Sequence, residues 1–299
     1  MADARRTPVC LSIQSAVVAG HVGHGASAPT LALMGVEAMT LPTVLLSGHA
    51  ATPGVEGRRL PGEEIAALGR GLAAAGALAR ADALLTGYLG TEAAARAVAD
   101  LAGAHRAARP DALQLCDPVL GDDGPGLYLP AEVGTVYRER LLPLADVATP
   151  NAFELGWLTG LPVTGEAAIR RAAEALRARL RPGGPRAVVV TSVEAEGGIG
   201  AMAVDESGAS LALGAKAPRR LNGAGDFVAA VILAETLAGR SPAEAAARAV
   251  AAASILAMAA EAAGRDDLPV VAAATLWTAA AGAERRLRPD DPAPGGDVE

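Results

Sequence analysis

The sequence predicts an α/β fold of three layers, in which a mainly parallel central sheet is flanked by helices. Segments of strand type and helix type alternate along nearly all of the 299 residues, a pattern typical of parallel sheets. The strand segments are apolar without regular polar positions, which indicates a sheet buried on both faces. Hydrophobic residues make up 51% of the chain and aromatic residues only 2%, so alanine, valine and leucine must form most of the core.

The first predicted elements are a strand at Pro8–Ile13, a helix at Ala26–Met34 that ends at Gly35, and a strand at 38–46. A glycine directly after an apolar helical segment is a common stop signal. The elements that follow are a helix at 62–78, a strand at 81–90, a helix at 91–108, a strand at 112–121, a strand, turn and helix within 147–160, a helix at 166–180, and strands at 186–193, 199–205 and 210–217. Helices are expected to fill the remainder, apart from the terminal residues.

We expect a single domain over residues 1–285, because no linker divides the chain and no internal repeat is visible. Residues 286–299 are rich in proline, glycine and aspartate, and we expect a disordered tail there. The alanine-rich run Ala245–Ala260 contains Arg248 and is interpreted as a packed helix rather than a membrane span.

Composition and charge exclude several classes of function. The formal net charge is -7 and no basic patch is interleaved with aromatics, so nucleic-acid binding has no support. The two cysteines, Cys10 and Cys116, lack metal-ligand or CxxC spacing. Polar residues interrupt the apolar run near the N-terminus, so a signal peptide is not indicated. We expect a cytoplasmic protein that does not bind membranes.

The segment NGAGD precedes a long apolar segment and predicts an anion-binding turn. Gly223, Ala224 and Gly225 allow main-chain amides to point outward at a helix N-terminus, where partial positive charge favours an anion. Asp226 stands at the helix start, where it could accept a proton from a substrate hydroxyl. The same pattern also fits an ordinary glycine turn with an aspartate helix cap.

Polar residues also follow other predicted strands, in the segments CDPVLGDDG, TPNAFE and VVVTS. The carboxyl ends of parallel strands meet at one edge of a sheet, where ligands bind in such folds. Carboxylates, an amide and hydroxyls beside an anion-binding turn suit a magnesium–nucleotide site. The phosphate-binding pattern GxxxxGK[ST] is absent, and GHVGHG lacks the spacing of a dinucleotide-binding loop.

Together these segments resemble the pyridoxal kinases of the ribokinase-like superfamily. The segment SIQSAVVAGHVGHGASAPTLALMGVEAMTLPTVLLSGHA resembles the N-terminal segment of that family, and TGYLG, CDPVLGD, TPNAFE, VVVTS and GAGD follow in the family's order. The resemblance implies a three-layer ribokinase-like fold and ATP-dependent phosphorylation of the 5′-hydroxymethyl group of pyridoxal, pyridoxine or pyridoxamine, a step of vitamin B6 salvage. It also implies Mg²⁺, a monovalent cation and a homodimer.

The resemblance assigns roles to particular residues. Asp226 is the implied catalytic base and a substrate contact, and Gly223, Ala224 and Gly225 form the implied anion hole. The implied substrate contacts also include Ser15, His49 and Tyr88. The implied nucleotide contacts are Asp117, Asn151, Glu154, Thr191 and Ser192, and the implied metal-site residues are Asp117, Asp122, Thr149 and Glu154.

Two positions depart from the family pattern. His24 replaces an asparagine, and Ala50 replaces a threonine that contacts substrate, which removes a hydrogen bond worth about 0.5–1.5 kcal/mol. A hydroxymethylpyrimidine kinase of the thiamine branch is the alternative enzyme, although such enzymes usually carry cysteine where Asp226 stands. A protein that binds vitamin B6 without catalysis is a second alternative. A nucleotide-dependent oxidoreductase is a third, and it lacks a dinucleotide fingerprint.

Overall fold

The computed structural model describes residues 6–215, 221–282 and 284–287, and it confirms the predicted three-layer α/β architecture. The described strands of the large sheet lie in the order β12-β11-β10-β9-β8-β5-β4-β1-β2-β3. The strands are β1 Val9–Val17, β2 Glu37–Leu46, β3 Gly57–Arg59, β4 Ala83–Thr86, β5 Leu113–Cys116, β6 Gly121–Asp122, β7 Gly126–Leu127, β8 Val147–Ala148, β9 Ala187–Ala195, β10 Gly198–Asp205, β11 Gly208–Gly214 and β12 Arg285–Leu287. The pairs from β2 through β1, β4, β5 and β8 to β9 are parallel, and the outer pairs are antiparallel.

Helices cover both faces of this sheet. They are α1 His24–Leu33, α2 Gly62–Ala74, α3 Ala77–Arg80, α4 Glu92–Ala108, α5 Ala131–Val136, α6 Ala152–Thr159, α7 Glu166–Arg177, α8 Ala224–Leu237, α9 Pro242–Ala262 and α10 Ala274–Trp277. Two hydrophobic clusters lie on opposite faces: residues of α2 to α7 pack on one, and residues of α1, α8, α9 and α10 pack on the other. Successive residues of β9 alternate between the clusters, with Val188 and Val190 in one and Val189 in the other. This alternation explains why the strands are apolar at every position.

Several boundaries differ from the sequence prediction. The helix expected at 62–78 ends early, because Gly76 adopts a left-handed conformation with φ of 68° and a separate helix, α3, begins after it. The strand expected at 81–90 stops at Thr86, and the following residues form a loop at the sheet edge. The strand expected to end at Ile13 continues to Val17.

The C-terminal part of the chain, for which only helices and a tail were predicted, also contains a strand. Strand β12 pairs antiparallel with β11 through Arg286 and Leu287, which lie inside the segment assigned to a disordered tail. The rest of that segment, 288–299, lies outside the described residues. The antiparallel ribbon of β6 and β7 and helix α5 had no counterpart in the sequence prediction either.

Helix α9 contains the alanine-rich run that the sequence prediction treats as a packed helix. Within the described ranges it is the one helix long and apolar enough to cross a membrane, with a mean hydropathy of 1.4. Here it packs against α8, β10 and β11. Its start is a capping box, in which Ser241 and Glu244 bond each other's main-chain N–H groups.

A buried aromatic pair supports the start of α8. The rings of Phe227 and Trp277 meet edge to face with centroids 5.0 Å apart. The indole N–H of Trp277 donates to the carbonyl of Val270 at 2.8 Å. Phe227 directly follows Asp226, so this contact fixes the first turn of the helix that carries the predicted base.

Replacing Trp277 with alanine is therefore expected to lower the free energy of unfolding by about 3–5 kcal/mol, because it opens a large cavity. Trp277→Phe keeps an aromatic ring and is expected to cost less, about 1–2 kcal/mol, through the lost hydrogen bond and the smaller ring. Urea unfolding followed by circular dichroism measures both losses. Equal losses in the two variants would show that the pair does not hold α8.

Candidate active site

The polar residues predicted from the strand ends gather at one edge of the sheet. Ser15 lies near the end of β1, and Tyr88, Asp117 and Thr149 follow the ends of β4, β5 and β8. Because these strands are adjacent and parallel, their carboxyl ends lie side by side. Asp226 reaches the same edge from the first turn of α8.

The turn before α8 has the form expected of an anion site. Gly223 precedes the helix with φ of 83°, and within the described chain no side chain caps the helix N-terminus. A Cβ atom on Gly223 would lie 1.7 Å from the carbonyl oxygen of His21, so only glycine fits there. Around Gly225 the described residues leave open space within 4 Å of a Cβ position. The main-chain N–H groups of this turn can therefore donate hydrogen bonds to an anion that enters from solvent.

The carboxylate of Asp226 is held by the main chain of a distant loop. Its Oδ2 accepts a hydrogen bond from the N–H of Gly23 at 2.8 Å. Burial raises the pKa of Asp226 to about 6, while the bond from Gly23 favours the ionised form. At neutral pH most of this carboxylate is ionised, with a proton affinity higher than that of an exposed aspartate, as a general base requires.

Gly23 is itself tightly confined. Its φ is 54°, and a Cβ atom there would lie 2.2 Å from both the carbonyl oxygen and the Oγ of Ser15. The predicted substrate residue Ser15 therefore packs directly behind the glycine that orients the predicted base. The sequence prediction missed Gly23, because the glycines of GHVGHG signalled only an imperfect phosphate-binding pattern.

A second carboxylate, Asp117, is buried beside Thr149. The hydroxyl of Thr149 donates to Oδ1 of Asp117 at 2.9 Å. Burial and the negative charge of Asp226 raise the pKa of Asp117 to about 8, against the bond from Thr149. The two aspartates are thus electrostatically coupled.

Glu154 has a largely structural environment. Its Oε1 accepts the N–H groups of Leu120 and Gly121 at 2.9 and 3.4 Å, and its Oε2 accepts the N–H of Asn151 at 2.9 Å. The side chain of Asn151 accepts the N–H of Glu154 in return, which completes a capping box for α6. Burial and the charge of Asp117 raise the pKa of Glu154 to about 8 despite these bonds.

The predicted metal residues fit a hard cation without forming a closed cage. Across residues 6–215, 221–282 and 284–287, no group of three or more His, Cys, Asp or Glu side chains has metal-binding geometry. Asp117 and Thr149 are in contact, Glu154 is coupled to Asp117, and Asp122 lies on β6 next to Gly121. Carboxylate and hydroxyl oxygens suit a cation that keeps water and phosphate oxygens as its other ligands, as Mg²⁺ usually does.

The predicted nucleotide residues also lie together. The side-chain amide of Asn151 donates to the carbonyl of Gly121 at 2.8 Å, and the N–H of Thr191 donates to the carbonyl of Pro150 at 2.9 Å. Thr191 and Ser192 fall in a bulge of β9, where its register with β10 shifts. Ser192 has a left-handed φ of 57° and an exposed side chain. Such bulges often lie next to functional sites.

The predicted substrate residues do not share one wall. His49 lines a cavity of about 370 Å³ together with His21, Asn222 and Asp267, whereas Ser15 and Tyr88 are not part of its lining. Tyr88 is fixed through its carbonyl, which accepts the hydroxyl of Thr43 at 2.6 Å.

The two departures from the family pattern have different surroundings. The ring of His24 is buried, and burial lowers its pKa to about 4. Its neutral Nε2–H donates to the carbonyl of Ser12 at 3.1 Å, so His24 is a core side chain in this structure. Ala50 is exposed on the loop after β2.

Comparison with known proteins gives consistent matches. The family model described as phosphomethylpyrimidine kinase matches residues 21–270. A pyridoxal kinase of Granulibacter bethesdensis is 40% identical over 227 residues, which are 75% of this chain and 79% of that protein. A pyridoxal kinase of Rubrobacter xylanophilus is 37% identical over 240 residues, 79% of this chain and 81% of that protein. The solved structure of pyridoxal kinase from Leishmania donovani in complex with ADP and pyridoxamine has a TM-score of 0.84 and 30% identity, and the match covers 94% of this chain and 99% of that one.

Replacing Gly23 with alanine is expected to destabilise the protein more than Gly35→Ala does. Both glycines have positive φ, but a Cβ atom meets Ser15 at position 23 and nothing within 4 Å among the described residues at position 35. Both variants place a side chain at a positive φ, at a cost of about 1–3 kcal/mol, and the clash adds about 1–3 kcal/mol at position 23. Urea unfolding of both variants measures the difference, and matching losses would contradict the close packing of Gly23.

Replacing Asp117 with asparagine is expected to stabilise the protein at alkaline pH in the absence of Mg²⁺ and nucleotide. The folded pKa of about 8 lies above the ordinary value of 3.8, so the folded state loses stability as pH rises between these values. An asparagine side chain cannot ionise, so the variant should gain on the wild type by about 1–3 kcal/mol near pH 8 and by little near pH 4. Thermal unfolding across this range is the measurement, with the exposed Asp111→Asn as control. If the stability difference between the variant and the wild type does not grow with pH, the ionised form of Asp117 does not destabilise the folded state.

Proposed function

The chain belongs to the pyridoxal kinase family of the ribokinase-like superfamily, and from that premise we propose that it transfers the γ-phosphate of ATP to a vitamin B6 alcohol. The acceptor is the 5′-hydroxymethyl group of pyridoxal, pyridoxine or pyridoxamine, and the products are the 5′-phosphate and ADP. The relatives described above are pyridoxal kinases by name, and the Leishmania structure is a complex with ADP and pyridoxamine.

One observation carries the proposal: a carboxylate with a raised pKa stands at an uncapped helix N-terminus. Asp226 supplies the carboxylate, which the N–H of Gly23 holds through a hydrogen bond to Oδ2. As the substrate oxygen attacks the γ-phosphorus, the hydroxyl proton passes to Asp226 and the bond to the ADP oxygen breaks. The amides of Gly223, Ala224 and Gly225 donate to the phosphoryl oxygens, whose charge they stabilise.

The remaining predicted residues complete the proposed site. Asp117, Asp122, Thr149 and Glu154 would hold Mg²⁺, with a monovalent cation near Asp122 and Thr149. When bound, Mg²⁺ neutralises charge on the nucleotide phosphates. Asn151, Thr191 and Ser192 would contact the nucleotide, and Ser15, His49 and Tyr88 the vitamin.

We further propose a cytoplasmic homodimer. Val18 is 90% exposed and Leu45 is 41% exposed, on neighbouring ends of the paired strands β1 and β2. Exposed apolar side chains at adjacent strand ends could be covered by a second copy of the chain.

Asp226→Asn tests the proposed chemistry. The variant keeps the size and the acceptor oxygen of the side chain but cannot take the proton. We expect kcat to fall about 10²- to 10⁴-fold with an unfolding temperature at or above that of the wild type, because the raised pKa of Asp226 shows that its charge destabilises the folded state. ATP consumption with Mg²⁺ and each of the three B6 vitamers is the measurement, with Asp111→Asn as the matched control. Near-normal turnover by a folded Asp226→Asn protein would refute the role of Asp226.

A second acceptor belongs in the same assay. The matching family model is described as phosphomethylpyrimidine kinase, which favours including hydroxymethylpyrimidine. Turnover on that compound alone would move the activity to the thiamine branch. Binding of a vitamer without ATP consumption would instead support a protein that binds vitamin B6 without catalysis.

A further inference from the structure

A cluster of side chains outside the predicted catalytic set lies behind the anion-binding turn. Nδ1 of His21 donates to Oδ2 of Asp267 at 2.6 Å. Oδ1 of Asp267 accepts two hydrogen bonds from the guanidinium of Arg265, at 3.1 and 2.8 Å. Three hydrogen bonds therefore fix this carboxylate, and two of them come from a charged group.

The main chain of the same residues contacts the turn directly. The carbonyl oxygen of His21 lies only 1.7 Å from the position that a Cβ atom on Gly223 would occupy. The N–H of Asn222 donates to the carbonyl of Asp266 at 3.1 Å, and Asn222 and Asp267 form a parallel bridge. The turn thus contacts both the loop of His21 and the segment after α9.

A side-chain hydrogen bond also joins these two supports directly to each other. The His21–Asp267 hydrogen bond links the loop that follows β1 to the segment that follows α9, which are 246 positions apart in the chain. Loss of this bond would remove a direct link between the two supports and leave them freer to shift relative to each other. The turn between them would then lose its fixed position relative to Gly23 and Asp226.

We propose that Asp267 and His21 are positioning residues for the anion-binding turn. Through their hydrogen bond they set the orientation of the amides at Gly223, Ala224 and Gly225, without touching the substrate's reacting atoms. The inference rests on the proposed kinase function, because it assigns those amides to the transferring phosphoryl group.

The site tolerates substitution well enough for a test. The side chain of His21 is 28% exposed and that of Asp267 is 22% exposed, and both line the cavity of about 370 Å³. Truncation of either therefore opens onto an existing water-accessible space rather than creating a closed void.

The test compares His21→Ala, His21→Asn, Asp267→Ala and the double alanine variant. Asn places an amide N–H near the position of the histidine Nδ1, so it can restore the bond to Asp267. We expect each alanine variant to lower kcat about 10- to 100-fold, since small displacements of catalytic groups have effects of this size. KM for ATP and for the vitamer should change by less than about 3-fold, because the loss falls on the transition state.

The double alanine variant should lose no more than the single variants, because one bond is broken in all of them. His21→Asn should recover most of kcat. Glu92→Ala is the control, since it breaks an exposed ion pair with Arg96 on α4. Wild-type kcat in the alanine variants, additive losses in the double variant, or a change in KM alone would overturn the inference.

Hydrogen exchange supplies a readout that does not need turnover. The peptide that contains residues 222–227 should exchange faster in Asp267→Ala and His21→Ala than in the wild type, and at the wild-type rate in Glu92→Ala. Unchanged exchange in this peptide would overturn the inference. An inactive wild type with faster exchange in the variants would refute the proposed kinase function while supporting the positioning role.

Discussion

The candidate site depends on a close approach between two main-chain segments that leaves no room for side chains. The loop at 20–23 crosses the turn at 221–226, and a Cβ atom on Gly223 would overlap the carbonyl of His21. On the far side of the loop, a Cβ atom on Gly23 would overlap Ser15. The end of β1, the start of α1 and the start of α8 are consequently one packed unit. Asp226 can receive a main-chain N–H from Gly23 only because both glycines permit this distance.

This arrangement concentrates negative charge at the cost of stability. Asp117, Glu154 and Asp226 all have raised pKa values because burial disfavours their ionised forms, and Asp117 also senses the charge of Asp226. Such strain is common at functional sites, where stability is lost to chemistry. The surroundings offset part of it, since the long apolar body of α8 packs against α1 and α9 and the pair Phe227–Trp277 fixes its first turn.

Much of the fold followed from local pattern, and most departures have an identifiable cause. Most apolar strands and periodic helices were placed correctly because the sheet is buried on both faces and helices follow most of its parallel strands. The break at Gly76 and strand β12 were missed, since a single glycine inside a helical pattern is ambiguous and a three-residue edge strand carries no periodic signal. Residues at strand ends were found because topology alone brings them together. Gly23 and Asp267 could not be found this way, because their roles depend on contacts between segments far apart in the chain.

The hydrogen bonds also rank two carboxylates that the sequence could not distinguish. Both Asp117 and Glu154 follow strands, and both were assigned to nucleotide and metal. Both oxygens of Glu154 already accept main-chain N–H groups, and its side chain completes the cap of α6. Within the described contacts, Asp117 has only Oδ1 engaged, by Thr149. Oδ2 of Asp117 is therefore open to a cation, whereas a cation bound by Glu154 would share an oxygen with a main-chain N–H group. The sequence pattern PNxxE serves two purposes here: the capping box holds the start of α6 in place, and the carboxyl group of Glu154 lies close enough to Asp117 for the charge of Asp117 to raise its pKa.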